Sequence, residues 1–180
     1  VVTGLFIGRF QPFHNGHLNA IKESLSKAGQ LVIAVGSSQR SHEPENLFTL
    51  GERIEVIHRV LKEEGLWEKC LIVGIPDVNN NSLWVAHLNA LTPRYDMVFS
   101  GNPLVTRLFK EAGVEVIAPS FYERGKLEGK QIRLLMKEDS PEWRSHLPKA
   151  AVDFIDEINA IERLQDILGS DSHQEVKGEE

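Results

Sequence analysis

Gly8-Arg9-Phe10-Gln11-Pro12-Phe13-His14-Asn15-Gly16-His17 stands between an apolar run, Leu5-Phe6-Ile7, and a stretch with helical spacing, Leu18, Ile21, Leu25 and Ala28. Such a segment reads as the turn from a first strand into a first helix, which is where open α/β sheets bind phosphates. Its residue types suit a polyphosphate better than a core. Arg9 offers a rigid fork of donors to phosphate oxygens. With a helix over Asn15–Lys27, His14 and His17 lie near one face of its first turn, where backbone N–H groups without intrahelical partners point outward. Gly8 and Phe10 belong to the same turn, Pro12 stiffens it, and Gly16 lets a phosphate oxygen approach the backbone closely. Two histidines three apart also fit a surface pair, a capped turn or a shared metal ion. No HExxH pattern and only one cysteine accompany them, so no protein-held metal is read from the sequence.

Outward from this segment, apolar runs alternate with helical patterns. Strands are predicted at residues 3–7, 31–35, 70–75, 97–100 and 114–118. Thr49-Leu50-Gly51-Glu52 has capping-box form, with Ile54, Ile57 and Leu61 on one face after it. A short helix is predicted over residues 82–91, and Asn102-Pro103 caps and starts another. Five strands alternating with helices predict a Rossmann-like, doubly wound α/β fold with a parallel five-stranded sheet and right-handed crossovers. Helices over residues 131–137, 149–158 and 161–168 close the chain at its C-terminal end. Residues 1–168 are expected to form a single domain, and the polar residues 169–180 a disordered tail.

The 180 residues suffice for about one domain, and 41% apolar content fills an ordinary core. No secretory pattern opens the chain and no run of eighteen apolar residues occurs, so no membrane partner is expected. The single cysteine, Cys70, in a strand-like context, is expected to be a buried small hydrophobe, which fits a reducing cytoplasm. A net charge of −6 argues against a nucleic-acid-coating protein. An acidic protein that binds a triphosphate must gather positive charge locally. Arg9, Arg107, Lys130 and Arg133 are the candidates, each beside a loop or helix start.

Three further stretches carry chemistry. Trp84 follows a polar run, Asp77-Val78-Asn79-Asn80-Asn81-Ser82, and is read either as packing on its helix face or as a stacking platform for a flat ring. Ser100-Gly101-Asn102 ends a strand and opens a helix, with Asn102 as the cap. Glu128-Gly129-Lys130-Gln131-Ile132-Arg133 is a charged helix start.

Taken together, these stretches resemble the nucleotidyltransferase superfamily with the (H/T)xGH motif, and within it the archaeal-type nicotinamide-nucleotide adenylyltransferases. Gly36-Ser37-Ser38-Gln39 with Ser41-His42, Phe48-Thr49 with Gly51-Glu52-Arg53, Leu83-Trp84-Val85 and Ser100-Gly101-Asn102-Pro103-Leu104-Val105 match that group as well. The resemblance implies transfer of AMP from ATP to nicotinamide mononucleotide, giving NAD and pyrophosphate, with Mg²⁺ carried mainly by the ATP phosphates. It implies that Arg9, His14, His17 and Arg133 are catalytic. Gly8, Phe10, Gly16, Gly101, Asn102 and Lys130 would join them at ATP, and Ser37, His42, Asn80, Asn81 and Trp84 would meet the mononucleotide. A cytoplasmic homo-oligomer, a hexamer, is also implied. The chain departs from the second superfamily motif: Lys130 stands where Thr or Ser is usual, and Glu128 where Ser is usual. Phosphopantetheine and FMN adenylyltransferases share the first motif and are the enzymatic alternatives. A non-catalytic nicotinamide-nucleotide binding protein is the other.

Overall fold

The computed structural model describes residues 1–120 and 128–175, the backbone alone for 128 and 171–175. Strands β1 (Thr3–Gly8), β2 (Gln30–Val35), β3 (Cys70–Gly74), β4 (Met97–Phe99) and β5 (Val116–Ile117) alternate with helices α1 (Asn15–Lys27), α2 (Leu50–Glu63), α3 (Trp84–Leu91) and α4 (Pro103–Glu111). Helices α5 (Glu128–Lys137), α6 (Lys149–Glu157) and α7 (Ala160–Glu175) follow. The strands form one parallel sheet in the order β3-β2-β1-β4-β5. This is the doubly wound α/β architecture that the alternating pattern predicts.

The period of two along β1 sends its side chains to two different cores. Phe6 joins Ile33, Val35 and Phe99 beneath α1, α2, α5, α6 and α7, whereas Leu5 and Ile7 join Val32, Ala34 and Val98 beneath Leu88 of α3 and Phe109 of α4. Strands covered on both faces read as continuous apolar runs, which explains Leu31-Val32-Ile33-Ala34-Val35. Neighbours β1 and β4 feed helices on opposite faces of the sheet. The connections leaving them diverge, and a crevice opens beyond their C-terminal ends.

Helix α7 is the last element of the described chain. It runs through Gly169 to Glu175, where a disordered tail was expected from residue 169. One glycine costs a helix only about 1 kcal/mol relative to Ala. The preceding turns are anchored by buried Ala160 and Leu164 and by Arg163, which grips Glu52 of α2 with two bonds of 2.7 and 2.8 Å. The remainder of that tail, 176–180, lies outside the described residues. Cys70 is half-buried on edge strand β3, and burial pushes its thiol up to about 11. Among the described residues, no helix is long and apolar enough to cross a membrane.

Candidate functional site

Helix α1 starts on a reciprocal cap made of two histidines. His14 is the extended N-cap residue, and its Nδ1 accepts from the His17 backbone N–H at 3.3 Å. The His14 backbone N–H donates in turn to His17 Nδ1 at 3.2 Å. The rings stack with centroids 3.7 Å apart. A ring nitrogen that accepts from an N–H carries no proton, so each neutral imidazole holds its proton on Nε2. Burial, assisted by His146 and Arg133, lowers His14 from its ordinary 6.5 to about 4. Burial and then His14 hold His17 well below its ordinary value. Both rings are therefore neutral N–H donors at neutral pH.

This cap has a pH signature. The unfolded chain takes up protons on these histidines near 6.5, and the folded chain takes one on His14 only near 4. Between those values the unfolded state binds more protons, so stability falls as pH falls. Urea unfolding at pH 7 and at pH 4.5 is expected to show a loss on the order of 2–3 kcal/mol from His14 alone. Removing the ring with His14→Asn should take away that share and leave the dependence that comes from His17.

The loops behind the cap are held by a guanidinium. Arg53 of α2 is 2% exposed. It donates to the carbonyls of Arg9 (3.0 Å), Gly36 (2.8 Å), Ser37 (3.1 Å) and Thr49 (3.3 Å). The loops after β1 and β2 thus share one anchor. Gln11 ties the first of them to the start of α2 by bonding both the N–H and the carbonyl of Phe48 at 2.9 Å. Phe10 takes a left-handed φ of 53° between these anchors. Its ring packs against His17, centroids 4.6 Å apart, and covers Gly8, where a Cβ would stand only 3.0 Å away. A side chain at residue 8 would force that wedge out.

Arg133 of α5 reaches back to the same loop and donates to the Gln11 carbonyl at 3.1 Å. A Cβ on Gly129 would lie 3.5 Å from Arg133 Nη1 and 3.8 Å from His14 Nε2, so both groups converge beside that backbone. Burial first, and then Arg9, depress both Arg133 and Arg53, the latter to about 10. Among the described residues, no ion pair holds Arg9, Arg53 or Arg133. Cationic side chains that repel one another without a bonded carboxylate make a site for a polyanion.

These groups open into a cleft of ≈ 590 Å³ beyond the ends of β1 and β4. Of the residues singled out in the sequence, Gly8, Arg9, Phe10, His14, Gly16, His17, Ser37, Asn81, Trp84, Asn102, Lys130 and Arg133 line it. The histidines, Lys130 and Arg133 come from the α1 and α5 face of the sheet. Trp84, Leu88 and Val105 come from the α3 and α4 face. Trp84 packs, its ring meeting Phe109 edge-on at 5.8 Å, and it also lines the cleft.

Four singled-out residues, Gly101, Asn80, His42 and Arg107, are not among the lining. Gly101 lies between the lining residues Ser100 and Asn102. Asn80 turns its side-chain oxygen onto the N–H and hydroxyl of Ser82, at 3.0 and 2.7 Å, because it caps the short 3₁₀ turn Asn81–Leu83. His42 is exposed at a left-handed φ of 56°, with Nδ1 against the Ser41 hydroxyl at 2.9 Å. Arg107, a candidate cation, is paired with Glu111 on the surface of α4. Sequence reasoning quoted Arg53, Gln11 and Asp77 within longer stretches but gave none of them a role in the site. Arg53 did leave a signal, a charged residue on the stripe of Val56, Ile57 and Val60. Among the described residues, no group of three or more His, Cys, Asp or Glu is placed to hold a metal ion.

Comparisons with known proteins show the family and the fold. The cytidylyltransferase-like family model matches residues 5–146. The nicotinamide-nucleotide adenylyltransferase of Methanoculleus marisnigri is 48% identical over 93% of this chain and 98% of its own. That of Archaeoglobus fulgidus is 44% identical over 94% of this chain and 99% of its own. Among solved structures, a bifunctional NMN adenylyltransferase/ADP ribose pyrophosphatase from Francisella tularensis superposes with a TM-score of 0.75 at 17% identity. The match covers 96% of this chain and 54% of that longer one, and it shows the fold. The chain belongs to the cytidylyltransferase-like family, among the nicotinamide-nucleotide adenylyltransferases.

Proposed function

We propose that the cleft transfers AMP from ATP to nicotinamide mononucleotide, releasing pyrophosphate and NAD. The observation that carries this reading is the convergence of Arg9, His14, His17, Lys130 and Arg133 in one cleft with Trp84. The mononucleotide phosphate attacks the ATP α-phosphorus in line, and the bond from that phosphorus to the bridging oxygen of the leaving pyrophosphate breaks. A phosphate oxygen is already a competent nucleophile, so no serine or cysteine nucleophile is required. Catalysis then rests on positioning and on donors aimed at developing charge. Arg9 and Arg133 hold triphosphate oxygens, and the neutral imidazoles donate from Nε2 without having to give up a proton. Gly8, Phe10, Gly16, Gly101 and Asn102 shape the ATP side. Ser37, Asn81 and Trp84 face the mononucleotide, with His42 and Asn80 in the adjoining loops.

The donors in the cleft are mostly cations and N–H groups, which suit a Mg²⁺ ion already carried by phosphate oxygens better than one caged by the protein. When bound, Mg²⁺ supplies charge neutralisation on the departing pyrophosphate. The same reading includes a cytoplasmic homo-oligomer, a hexamer. The exposed apolar side chains Leu83, Leu91 and Leu104 are available for contact with a second copy.

Incubation with ATP, Mg²⁺ and nicotinamide mononucleotide, nicotinic acid mononucleotide, FMN or phosphopantetheine tests the reaction. NAD and pyrophosphate should form from the first. Faster use of FMN or phosphopantetheine would replace this reading, and binding without pyrophosphate release would favour a binding protein.

The two cations on α5 should separate cleanly. Arg133→Ala removes a forked, half-buried donor and is expected to weaken ATP roughly 10- to 100-fold, as a charge-assisted hydrogen bond is worth about 1.5–3 kcal/mol. Lys130 is exposed and acts as a flexible point charge. Lys130→Thr is expected to weaken ATP only a few-fold and to lessen the salt dependence of binding. Titration of ATP at two ionic strengths reads both.

A further inference from the structure

Among the described residues, Asp77 is the one carboxylate that lines the cleft. It sits in the connection from β3 to α3, ahead of Asn81 and Trp84, which line the same space. Its carboxylate is fixed. Ser37 Oγ donates to Oδ1 at 2.9 Å, and Gln39 Nε2 donates to Oδ2 at 3.0 Å. The Asp77 N–H donates to Gln39 Oε1 at 3.0 Å, which locks the two residues in register. All of these partners are uncharged, so they orient the carboxylate without cancelling its charge. Among the described residues it joins no ion pair. Arg53, which senses Asp77 electrostatically, has its donors committed to backbone carbonyls.

A fixed negative charge and an aromatic ring that line one cleft, Asp77 and Trp84, suit a flat cation. Resting on the reading of the cleft given above, we propose that Asp77 makes the mononucleotide side discriminate by ring charge. The ring of nicotinamide mononucleotide is a quaternary pyridinium with a neutral carboxamide. Asp77 attracts it. The reduced mononucleotide has a dihydropyridine ring with no charge and gains nothing from Asp77. Nicotinic acid mononucleotide adds a carboxylate to the pyridinium, and that carboxylate is repelled. The three ligands share phosphate and ribose, so differences among them report the ring.

Calorimetric titration of these three mononucleotides into wild type, Asp77→Asn and Asp77→Glu tests the proposal. Asp77→Asn keeps the size and an acceptor for Ser37 while removing the charge. It is expected to weaken nicotinamide mononucleotide roughly three- to tenfold, leave the reduced form within about twofold and leave nicotinic acid mononucleotide unchanged or tighter. Asp77→Glu should keep the wild-type order. An equal loss for all three ligands in Asp77→Asn would overturn the proposal and make Asp77 a ribose or loop anchor; no change in any would overturn it as well. If Asp77→Asn does not fold, wild type alone decides. Its preference for the oxidised over the reduced mononucleotide should shrink as salt rises, and a salt-independent preference would refute a charge effect. Wild type that binds none of the three and forms no dinucleotide with ATP would remove the underlying reading of the cleft, a result distinct from loss of ring discrimination alone.

Discussion

His17→Asn is expected to unfold close to the wild-type midpoint and yet turn over about 10²–10³-fold more slowly. The asparagine amide oxygen falls near the position of Nδ1 and can still accept from the His14 N–H, which His17 Nδ1 does at 3.2 Å. The variant therefore keeps the cap of α1. What it lacks is the Nε2–H, the donor assigned to charge developing on the phosphates. Some packing against Phe10 and Phe13 is lost with the ring, a cost of about 1 kcal/mol. His17→Gln, whose longer amide reaches the Nε2 position and vacates the cap, should show the reverse: better turnover and a lower midpoint. Steady-state kinetics beside thermal melts decide the matter. Normal kcat in folded His17→Asn would reduce this residue to a helix cap.

Arg53→Ala is expected to be the most damaging single change to the fold around the site, at about 3–5 kcal/mol. Arg53 is almost fully buried, and its removal opens a cavity. It also leaves the carbonyls of Arg9, Gly36 and Ser37 without the donor that joined them. Each buried acceptor left unsatisfied costs about 1–3 kcal/mol. The loops after β1 and β2 lose their common anchor, so ATP affinity should fall together with stability. Arg53→Lys restores the charge without the fork, and is expected to recover only part of either. Urea unfolding measures the first effect and calorimetry the second. A loss below about 1 kcal/mol in Arg53→Ala would mean that water can take over the carbonyls.

The fold was legible because its signals are local. Apolar runs ended by Gly36 or Pro76, the capping box at Thr49, and Pro103 after Asn102 each act within a few residues. Shorter strands than expected, such as Val116–Ile117, reflect pairing partners that a run of apolar residues does not reveal. The dense first motif made its side of the candidate cleft legible too. The role of Arg53, quoted only as part of a matching stretch, escaped because a single arginine within a helix reads as solvated surface. Its burial depends on carbonyls from residues 9, 36 and 37, which only the folded sheet brings together. Asp77 escaped for a similar reason, since its partners Ser37 and Gln39 lie across β3 in sequence. Arg107 was put forward because it follows a helix start. Glu111 stands one turn on in the same helix and takes up its charge.

The bond from Arg133 to the Gln11 carbonyl spans 122 positions of chain. Synthesis proceeds from the N-terminus at about 5–20 residues per second, so the glycine- and histidine-bearing turn leaves the ribosome many seconds before its partner exists. Contacts of such long range also form late, because the intervening chain must first be ordered. A nascent chain therefore lacks Gly129, Lys130 and Arg133 of the pocket until late in its assembly. Lys130 and Arg133 are the last cations of the pocket to be made. Quality control that removes unfinished chains would thus meet a protein that gains protection from its substrate only once it is whole.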